Sequence, residues 1–352
     1  MPLYSSQLVD FLDRTLLPYM HYDHKKKKLI VVIDNHLAQT YRACPQHFFR
    51  GNVEGWQRKS AIRENEKARI WFLDFGIILH KMFELYYRDF CKPGFDVNQW
   101  AVERAVHEWN EMNMDVHAAE KEYHVIGGVH GFTGILMQYS HIYGAMNEKL
   151  RILGSEISFG RAGEVPLYIG KDLEIYLAGR MDLIVDDGYF IGPMDHKSEA
   201  AFRGDPALKY ETEEGPTGYI YTLSKILPTL VPEDQILKRD CSKITMNLIQ
   251  KKPTDNPVDR FKRVQIRKTT TQLEDYRQRM CSTVVHLIKD MERYCQGIKL
   301  PRNTVMCSNW FHRECSYRDV CRQGSKDGEL ITLTNGFVKM PLWDTEKVTP
   351  TI

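Results

Sequence analysis

The sequence has no strong excess of charge of either sign and no long hydrophobic run. Lysine and arginine total 48 and aspartate and glutamate total 46, so the formal net charge of the 352 residues is only +2. Bulk charge therefore does not indicate a nucleic-acid partner, and any basic surface must be local. No apolar stretch is long enough to span a bilayer, and residues 1–20 lack the basic region and clean apolar run of a signal peptide. We expect a cytoplasmic protein that does not enter a membrane.

The sequence also has no internal repeat, and its length suits one large domain or two small ones. Hydrophobic residues make up 43% and charged residues 27%, as in an ordinary soluble globular protein. The periodicity of apolar residues predicts helices at 5–17, 66–90, 100–112, 129–150, 217–227 and 272–295. Strands are predicted within 152–197, 243–252 and 260–269. The segment after Gly324 has little pattern, and we expect a loosely held tail.

Eight cysteines are present, but the absence of an export signal places them in a reducing compartment, where disulfides are not expected. Cysteines at short spacing in such a chain favour a metal or cluster site, or have no function. Cys307, Cys315 and Cys321 follow a C-x7-C-x5-C spacing, and Cys44 lies far upstream. Four thiolates suit an iron–sulfur cluster or a structural zinc, for which His312 is a further ligand candidate. The third alternative is a set of unligated buried cysteines.

Three charged residues lie in an otherwise apolar hairpin sequence, GRMDLIVDDGYFIGPMDHK (179–197). The dipeptide Asp187-Gly188 predicts a two-residue type I′ turn, which pairs Asp182 with Pro193. Because side chains alternate with a period of two, Asp195 then shares a face with Asp182 as its diagonal neighbour. Lys197 continues the same face.

Two carboxylates in this arrangement favour a shared cation. Diagonal neighbours have Cβ atoms about 7–8 Å apart, so each carboxylate can extend one oxygen to the same ion. Without a cation the two like charges repel, and one carboxyl tends to stay protonated. A lysine beside them can orient a water or stabilise charge that develops on a phosphorane. The alternative is an exposed hairpin face whose acids pair with Lys197 in solvent.

The segment 66–90 is apolar almost all round and predicts a buried helix. His80 and Glu84 are four residues apart and share one face of it. A lone histidine in such a helix is usually a hydrogen-bonded core residue, although a metal ligand is the alternative. Glu84 is a candidate to orient the His80 ring, or it is a partly exposed helix residue. Glu156, which precedes the hairpin, is a further candidate to approach a metal.

A strand with many basic residues, RFKRVQIRK, spans 260–268. In an alternating strand, Arg260 shares one face with Lys262, and Arg263 shares the other with Arg267. Such a strand could follow the phosphates of a nucleic acid. An edge strand that is basic to prevent sheet association is the alternative.

The hairpin resembles the GxxD…DxK core of PD-(D/E)XK nucleases, in the branch of RecB-type nuclease domains and CRISPR-associated exonucleases that carry a cluster. Four further segments match motifs of that family in the family's order. They are ACPQHFF (43–49), FGIILHKMFE (75–84), TGYIY (217–221) and RNTVMCSNWFHRECSYRDVC (302–321). The resemblance runs from about Asn35 to Cys321, which is most of the chain.

The resemblance implies an α/β fold with a PD-(D/E)XK restriction-endonuclease-like core, in which helices flank a mixed sheet. It also implies a helical iron–sulfur subdomain formed by both chain ends. Residues 1–60 and 296–330 would form that subdomain, 61–295 the nuclease core and 331–352 a tail. The implied activity is hydrolysis of DNA by a metal-dependent exonuclease, acting on single-stranded ends in DNA processing, recombination or repair. A protein partner in a DNA-processing complex belongs to the same expectation.

The family's functional residues are carried over only where this sequence matches its motifs. The implied ligands of one or two Mg²⁺ or Mn²⁺ ions are His80, Asp182, Asp195 and the carbonyl of His196. An imidazole ligand suits Mn²⁺ better than Mg²⁺. The implied active-site lysine is Lys197, and the implied tyrosine of the QxxxY motif is Tyr219. The implied [4Fe–4S] ligands are Cys44, Cys307, Cys315 and Cys321.

One position departs from the family pattern. Gly215, not glutamine, stands four residues before Tyr219. Whatever the family's glutamine does to hold DNA or the lysine must be done otherwise, or is lost. The departure favours the rival hypothesis of a non-catalytic DNA-binding or assembly module that retains the fold and the cluster.

Overall fold

The computed structural model describes residues 4–59, 71–89, 100, 103, 107, 131–160, 165–199, 201–202, 204–251, 254, 256–307 and 314–342. Most of the helix predicted at 100–112, and both ends of the helix predicted at 66–90, lie outside these residues. The described residues belong to two compact units. The first is drawn from 1–69, 158–179 and 274–349, and the second from 70–157 and 180–273.

Helices and strands occur where the sequence predicts them at 5–17, 129–150, 217–227 and 272–295 and in the strand segments. The helices are α1 (Ser6–Thr15), α2 (Asn35–Ala43), α3 (Pro45–Phe48), α4 (Trp71–Asp89), α5 (Phe132–Asn147), α6 (Pro206–Thr212), α7 (Glu214–Leu230), α8 (Glu233–Ile236), α9 (Thr270–Cys295), α10 (Arg318–Cys321) and α11 (Lys326–Gly336). The strands are β1 (Met20–Asp23), β2 (Lys28–Ile33), β3 (Trp56–Arg58), β4 (Arg151–Phe159), β5 (Pro166–Ile169), β6 (Leu173–Leu177), β7 (Gly179–Asp186), β8 (Ile191–Glu199), β9 (Lys243–Gln250), β10 (Phe261–Arg267) and β11 (Phe337–Lys339). A π-helical turn covers Phe49–Val53, and 3₁₀ turns cover Pro257–Arg260 and Val305–Cys307.

The first unit is built on a sheet with the strand order β1-β2-β6-β5. Strands β2 and β6 are parallel, whereas the two outer pairs are antiparallel. Helix α2 begins directly after β2, because Asp34 accepts a hydrogen bond from the amide of Leu37 at 2.6 Å and satisfies an otherwise unpaired helix donor. The Tyr41 hydroxyl of α2 donates to Asp290 of α9 at 2.8 Å, which joins the two helices.

The C-terminal segment of the first unit corrects one expectation from the sequence. The segment after Gly324, expected to be loosely held, forms helix α11 and strand β11. Ser325 caps α11 by accepting a hydrogen bond from the Gly328 amide at 3.1 Å. Strand β11 pairs antiparallel with β3, with Val338 opposite Gln57. The expectation is therefore wrong for residues up to 339.

The second unit is a sheet with the order β10-β9-β8-β7-β4, covered by helices on both faces. Strands β8 and β9 are parallel, while β7 pairs with β8, and β9 with β10, antiparallel. Apolar side chains of α4 and α5 pack on one face, against β7 and β8 residues such as Leu183 and Met194. Side chains of α6 and α7 pack on the other face, against Met246 and Leu248 of β9.

This second unit confirms the predicted fold class, a mixed α/β core with a sheet between helices. The two faces arise because β9, KITMNLIQ, is buried on both sides and presents alternate side chains to each layer. In the described part of the chain, no helix combines the length and the apolar character that a membrane crossing needs.

Candidate active site

The hairpin β7–β8 forms with a register that differs from the predicted one by two residues. Asp186 pairs with Ile191 and Leu183 with Met194. The predicted turn at Asp187-Gly188 is therefore wrong. The turn lies one residue further on, since the Asp187 amide donates to the Phe190 carbonyl at 3.1 Å, and the Asp187 side chain accepts hydrogen bonds from the amides of Tyr189 and Phe190 at 2.9 and 2.8 Å.

The observed register changes how the two acids of the hairpin face each other. Continuing it by one residue beyond the Leu183–Met194 pair sets Asp182 across from Asp195, not across from Pro193 as predicted. Cβ atoms of directly opposed residues are about 4.5–5.5 Å apart, closer than those of diagonal neighbours. The charge of Asp182 is close enough to raise the pKa of Asp195.

Asp182 is held as an anion by donors from two elements. Its Oδ2 accepts a hydrogen bond from the backbone amide of His196 at 2.8 Å, and the Nδ1 of His80 on α4 lies 3.4 Å from the same oxygen. Burial alone would raise the pKa of Asp182, but the hydrogen bond and the charge of His80, followed by the charge of Lys197, outweigh it and lower the pKa.

Asp195 is the more deeply buried of the two acids, since the residue is only 1% exposed. Its Oδ2 lies 2.7 Å from Nζ of Lys197, whose side chain is 40% exposed. Apart from this ion pair, neither carboxylate oxygen has a hydrogen-bond partner among the described residues. Burial raises the pKa of Asp195, Lys197 opposes the rise, and the charge of Asp182 adds to it. A second positive charge would therefore stabilise this carboxylate.

Lys197 is kept protonated by its neighbours. Burial alone would lower its pKa, but the charge of Asp195, followed by those of Tyr219 and Asp182, raises it. Tyr219 of α7 is half-buried, and burial together with the charge of Asp195 raises the pKa of its phenol. The structure thus brings Lys197, Tyr219, Asp182 and Asp195 into one electrostatic neighbourhood.

The two additional acids lie in the same neighbourhood. Glu156 of β4 pairs with Arg180 at 2.7 Å, and its pKa is raised by burial, lowered by Arg180, and raised again by Asp182 and Glu84. Glu156 also adopts a backbone φ of +51°, which costs a residue other than glycine on the order of 1–3 kcal/mol. Glu84 pairs with Lys81 at 2.6 Å, one turn before it on α4. Arg180 was not singled out from the sequence.

The side chain and the backbone of His196 contact different groups. Its ring is 1% exposed and stacks between Phe83, at 4.8 Å, and Tyr87, at 5.5 Å, on the face that α4 covers. Burial lowers the pKa of this imidazole to about 3, so the ring is neutral. Its backbone amide donates to Asp182, and its carbonyl is the predicted metal ligand.

This geometry agrees with what the comparisons with known proteins show. A family model described as the PD-(D/E)XK nuclease superfamily matches residues 37–322. The chain belongs to the PD-(D/E)XK nuclease superfamily. Members of this superfamily are usually metal-dependent nucleases that use Mg²⁺ or Mn²⁺, and the nuclease fold implies a nucleic-acid substrate.

Two further comparisons accompany the family match. No curated protein matches the chain significantly. Among solved structures, the "Crystal structure of SSO0001" is similar, with 15% sequence identity and a TM-score of 0.27. The similarity covers 70% of this PD-(D/E)XK chain and 95% of that chain.

A divalent metal at this PD-(D/E)XK site would need donor atoms of suitable chemistry in a suitable arrangement. In residues that the structure describes, no three side chains of histidine, cysteine, aspartate or glutamate are arranged as a metal-holding group. The donor chemistry nevertheless fits a hard cation, because carboxylate oxygens are the ligands that Mg²⁺ takes. The buried oxygens of Asp195 have spare acceptor capacity. The ligand set of His80, Asp182, Asp195 and the His196 carbonyl stays a prediction.

The four predicted cluster ligands of the PD-(D/E)XK protein line one cavity in the first unit. Cys44, Cys307, Cys315 and Cys321 lie around it together with His47, and all four cysteines are free thiols. The Nδ1 of His47 lies 3.3 Å from Sγ of Cys315. Burial, with the other three thiols adding, raises the pKa of Cys315 to about 11.

The cysteines fit a cluster by number and by location, although their sulfur atoms do not form a metal-holding group among the described residues. His312, the further ligand candidate for zinc, lies outside those residues. The structure thus brings together the cysteines from both chain ends and leaves the identity of their ligand a prediction.

The basic strand β10 is largely committed to internal contacts. It is the last strand of its sheet in the described part of the chain, as the edge-strand alternative expects. Arg260 is 1% exposed and donates to the carbonyls of Gln250 and Lys251, at 2.9 and 3.0 Å. Its predicted phosphate contact is therefore wrong. Arg263 points into the sheet face under α4 and α5, and of the basic residues at 260–268 only Lys262 and Arg267 are exposed.

Proposed function

We propose that this member of the PD-(D/E)XK superfamily is a divalent-metal-dependent DNA exonuclease that acts on single-stranded ends. One observation carries the proposal. Asp195 is buried next to Asp182, and apart from the ion pair of its Oδ2 with Lys197 at 2.7 Å, neither of its oxygens has a hydrogen-bond partner among the described residues. A buried carboxylate in this position gains most from a divalent cation.

The residues divide the work between holding a cation and stabilising charge. One or two Mg²⁺ or Mn²⁺ ions would be held by Asp182, Asp195, the His196 carbonyl and His80. When bound, such an ion would polarise the phosphate and activate water. Lys197 stays an ammonium beside Asp195. It therefore serves as a fixed positive charge for the oxygen charge that develops on the phosphate, and not as a proton acceptor.

The preference for single-stranded ends and the RecB-type and CRISPR-associated branch rest on the order of the five sequence motifs. The same resemblance supports a protein partner in a DNA-processing complex. We also propose that residues 1–60 and 296–330 form the cysteine subdomain around a nuclease core at 61–295. The lining of one cavity by Cys44, Cys307, Cys315 and Cys321 supports the joining of the two chain ends, although the first compact unit also contains 158–179 and 274–295.

The test uses purified protein, Mn²⁺, and end-labelled linear single-stranded, linear duplex and circular single-stranded DNA. We expect linear single strands to be shortened from an end and circles to be spared. Asp195→Asn should abolish the reaction. Asp187→Asn in the turn of the same hairpin is the matched control, because asparagine can still accept the two turn hydrogen bonds. Equal cleavage of circles would contradict the exonuclease mode.

A non-catalytic DNA-binding module is the second candidate, and Gly215 favours it. A Cβ added at Gly215 would meet nothing within 4 Å, so the described residues do not exclude a side chain from beginning at this position. Such a module would bind DNA with a strong dependence on salt and hydrolyse none. Wild-type protein that binds both Mn²⁺ and DNA without turnover would decide in its favour.

We further propose that the cysteine cavity holds a [4Fe–4S] cluster, with zinc as the alternative. Four thiolates from distant segments would connect the two ends of the first unit, and binding free energy would then become folding free energy. Protein purified without oxygen should be brown and contain iron and sulfide. Cys315→Ser should lose them, whereas Cys281→Ser, whose thiol donates to the Leu167 carbonyl, should not. Zinc without iron would reject the cluster.

A further inference from the structure

Three polar residues form a row across three neighbouring strands of the second unit. His196 of β8 lies opposite Asn247 of β9, and Asn247 lies opposite Arg263 of β10. Because side chains alternate along a strand, this row lies on the face opposite to that of Asp195 and Lys197. Asn247 is 0% and His196 1% exposed. We call these three residues the polar row.

The hydrogen bonds of the polar row have a fixed direction. A guanidinium only donates, so the Asn247 carbonyl oxygen, 3.5 Å from Nε of Arg263, accepts from it. The Asn247 amide nitrogen therefore faces His196 and donates to its Nδ1 at 2.7 Å. It follows that the neutral His196 ring carries its proton on Nε2.

Arg263 is itself anchored from the helical layer. Its Nη2, which carries two hydrogens, lies within hydrogen-bond distance of three acceptors: the Tyr87 hydroxyl at 3.0 Å, the Tyr139 hydroxyl at 2.7 Å and the Asn147 side-chain oxygen at 2.5 Å. Its guanidinium also lies 4.0 Å from the centre of the Tyr143 ring. The end of the polar row farthest from the hairpin is therefore fixed by several contacts at once.

The His196 ring is fixed in two ways. Stacking between Phe83 and Tyr87 sets the plane of the ring, and the hydrogen bond from Asn247 sets its rotation in that plane. The backbone of the same residue donates to Asp182 at 2.8 Å. His196 is therefore the residue that joins the polar row to Asp182.

We propose that Asn247 and Arg263 are positioning residues for the metal site. They hold His196 so that its amide binds Asp182 and its carbonyl faces the cation. This inference rests on the proposed metal-dependent function, since it concerns the same site. A row that only stabilised the fold would change the free energy of unfolding without changing the affinity for metal.

The test measures Mn²⁺ binding directly, by the loss of the free-ion signal in electron paramagnetic resonance, as well as nuclease activity. Asn247→Leu removes both polar groups at similar volume. Outer partners of metal ligands typically contribute about 10–100-fold in metal affinity or activity, and we expect a loss in that range. The KM for DNA should stay close to that of the wild type.

Two variants complete the design. Asn247→Asp keeps the shape and the bond from Arg263 but turns the donor to His196 into an acceptor. The ring should stay in place with its proton moved to Nδ1, which the ¹⁵N shifts of the imidazole report, and Mn²⁺ affinity should stay close to wild type. Thr245→Val, two residues away on the same face of β9, is the matched control and should leave Mn²⁺ affinity unchanged.

Wild-type affinity in Asn247→Leu would overturn the inference, and so would an equal loss in Thr245→Val or in Asn247→Asp. If Asn247→Leu does not fold, Asn247→Ser tests the same point, because its hydroxyl is too short to reach the His196 ring. Mn²⁺ binding requires no turnover. Two results together would reject the proposed function and keep this inference. The wild-type protein would degrade no DNA, and Asn247→Leu would bind Mn²⁺ more weakly than the wild type.

Discussion

Replacement of Lys197 by methionine should separate metal binding from catalysis. The lysine ammonium lies 2.7 Å from an oxygen of Asp195 and is the fixed positive charge of the candidate site. Methionine keeps most of the side-chain volume and removes the charge. The variant should therefore hydrolyse DNA poorly, but it should bind Mn²⁺ more tightly than the wild type, because the ion no longer competes with an ammonium for Asp195.

The expected magnitudes follow from the geometry. Two unit charges 2.7 Å apart attract by about 6 kcal/mol at an effective dielectric constant of 20. Much of this is offset by desolvation, and the lysine side chain is 40% exposed, so a net loss of about 2 kcal/mol is expected without metal. For a unit of this size that lowers the Tm by about 4–8 °C. Loss of one preorganised charge should lower kcat by about 10²–10³-fold.

The assay combines thermal unfolding, with and without saturating Mn²⁺, and steady-state hydrolysis of single-stranded DNA. The Tm deficit of Lys197→Met should shrink in Mn²⁺, because the ion replaces the lost positive charge beside Asp195. The matched control is Lys209→Met, since Lys209 also lies 2.7 Å from a carboxylate, that of Glu199, and its side chain is 50% exposed. Unchanged kcat in Lys197→Met, or an equal loss in Lys209→Met, would refute the reasoning.

Three further predictions test the fold and the departure from the family motif. Glu329 is 7% exposed and accepts hydrogen bonds from three cationic side chains at 2.5–3.0 Å. Glu329→Gln should therefore lower the free energy of unfolding, measured by urea titration, by about 2 kcal/mol, because the partial exposure of its partners limits the loss. Gly160→Ala should cost about 3 kcal/mol or more, because the backbone φ is +102° and the added Cβ would lie 2.7 Å from Cα of Ala178; wild-type stability would show that the turn relaxes. The Cβ of Gly215→Gln would meet nothing within 4 Å, so the variant should fold like the wild type. Gel-shift titration should show tighter binding of DNA if the family's glutamine contacts DNA, whereas a lower Tm would show that the position is constrained.

The sequence predicted the type of the elements, and the grouping of Asp182, Asp195 and Lys197, better than it predicted the pairing of the strands. Alternation along 179–197 predicted that Asp182, Asp195 and Lys197 share a neighbourhood, and the structure brings them together. The register could not be read from the Asp187-Gly188 signal, because the turn is decided by side-chain hydrogen bonds of Asp187 and by a bridge from Phe190 to Asp240, far along the chain.

Other features depend on contacts that no local pattern contains. Asn247 is a polar residue within the apolar strand KITMNLIQ, and that was a usable signal. Its partners could be known only from the pairing of three strands. Arg263 looked like a phosphate contact because the strand is rich in basic residues, whereas tertiary packing turns it inward. The positive φ of Glu156 likewise has no counterpart in residue type.

The cysteines that line the cavity, Cys44 and the three C-terminal ones, leave the ribosome at different times. Cys44 and Cys321 are separated by 277 residues. At translation rates of 5–20 residues per second, the ribosome needs about 14–55 s to cover that interval. The Cys44 thiol is therefore made well before the other three cysteines, and the hairpin β7–β8 is synthesised in between. Any ion or cluster that binds all four sulfurs can complete its set of ligands only after Cys321 has left the exit tunnel.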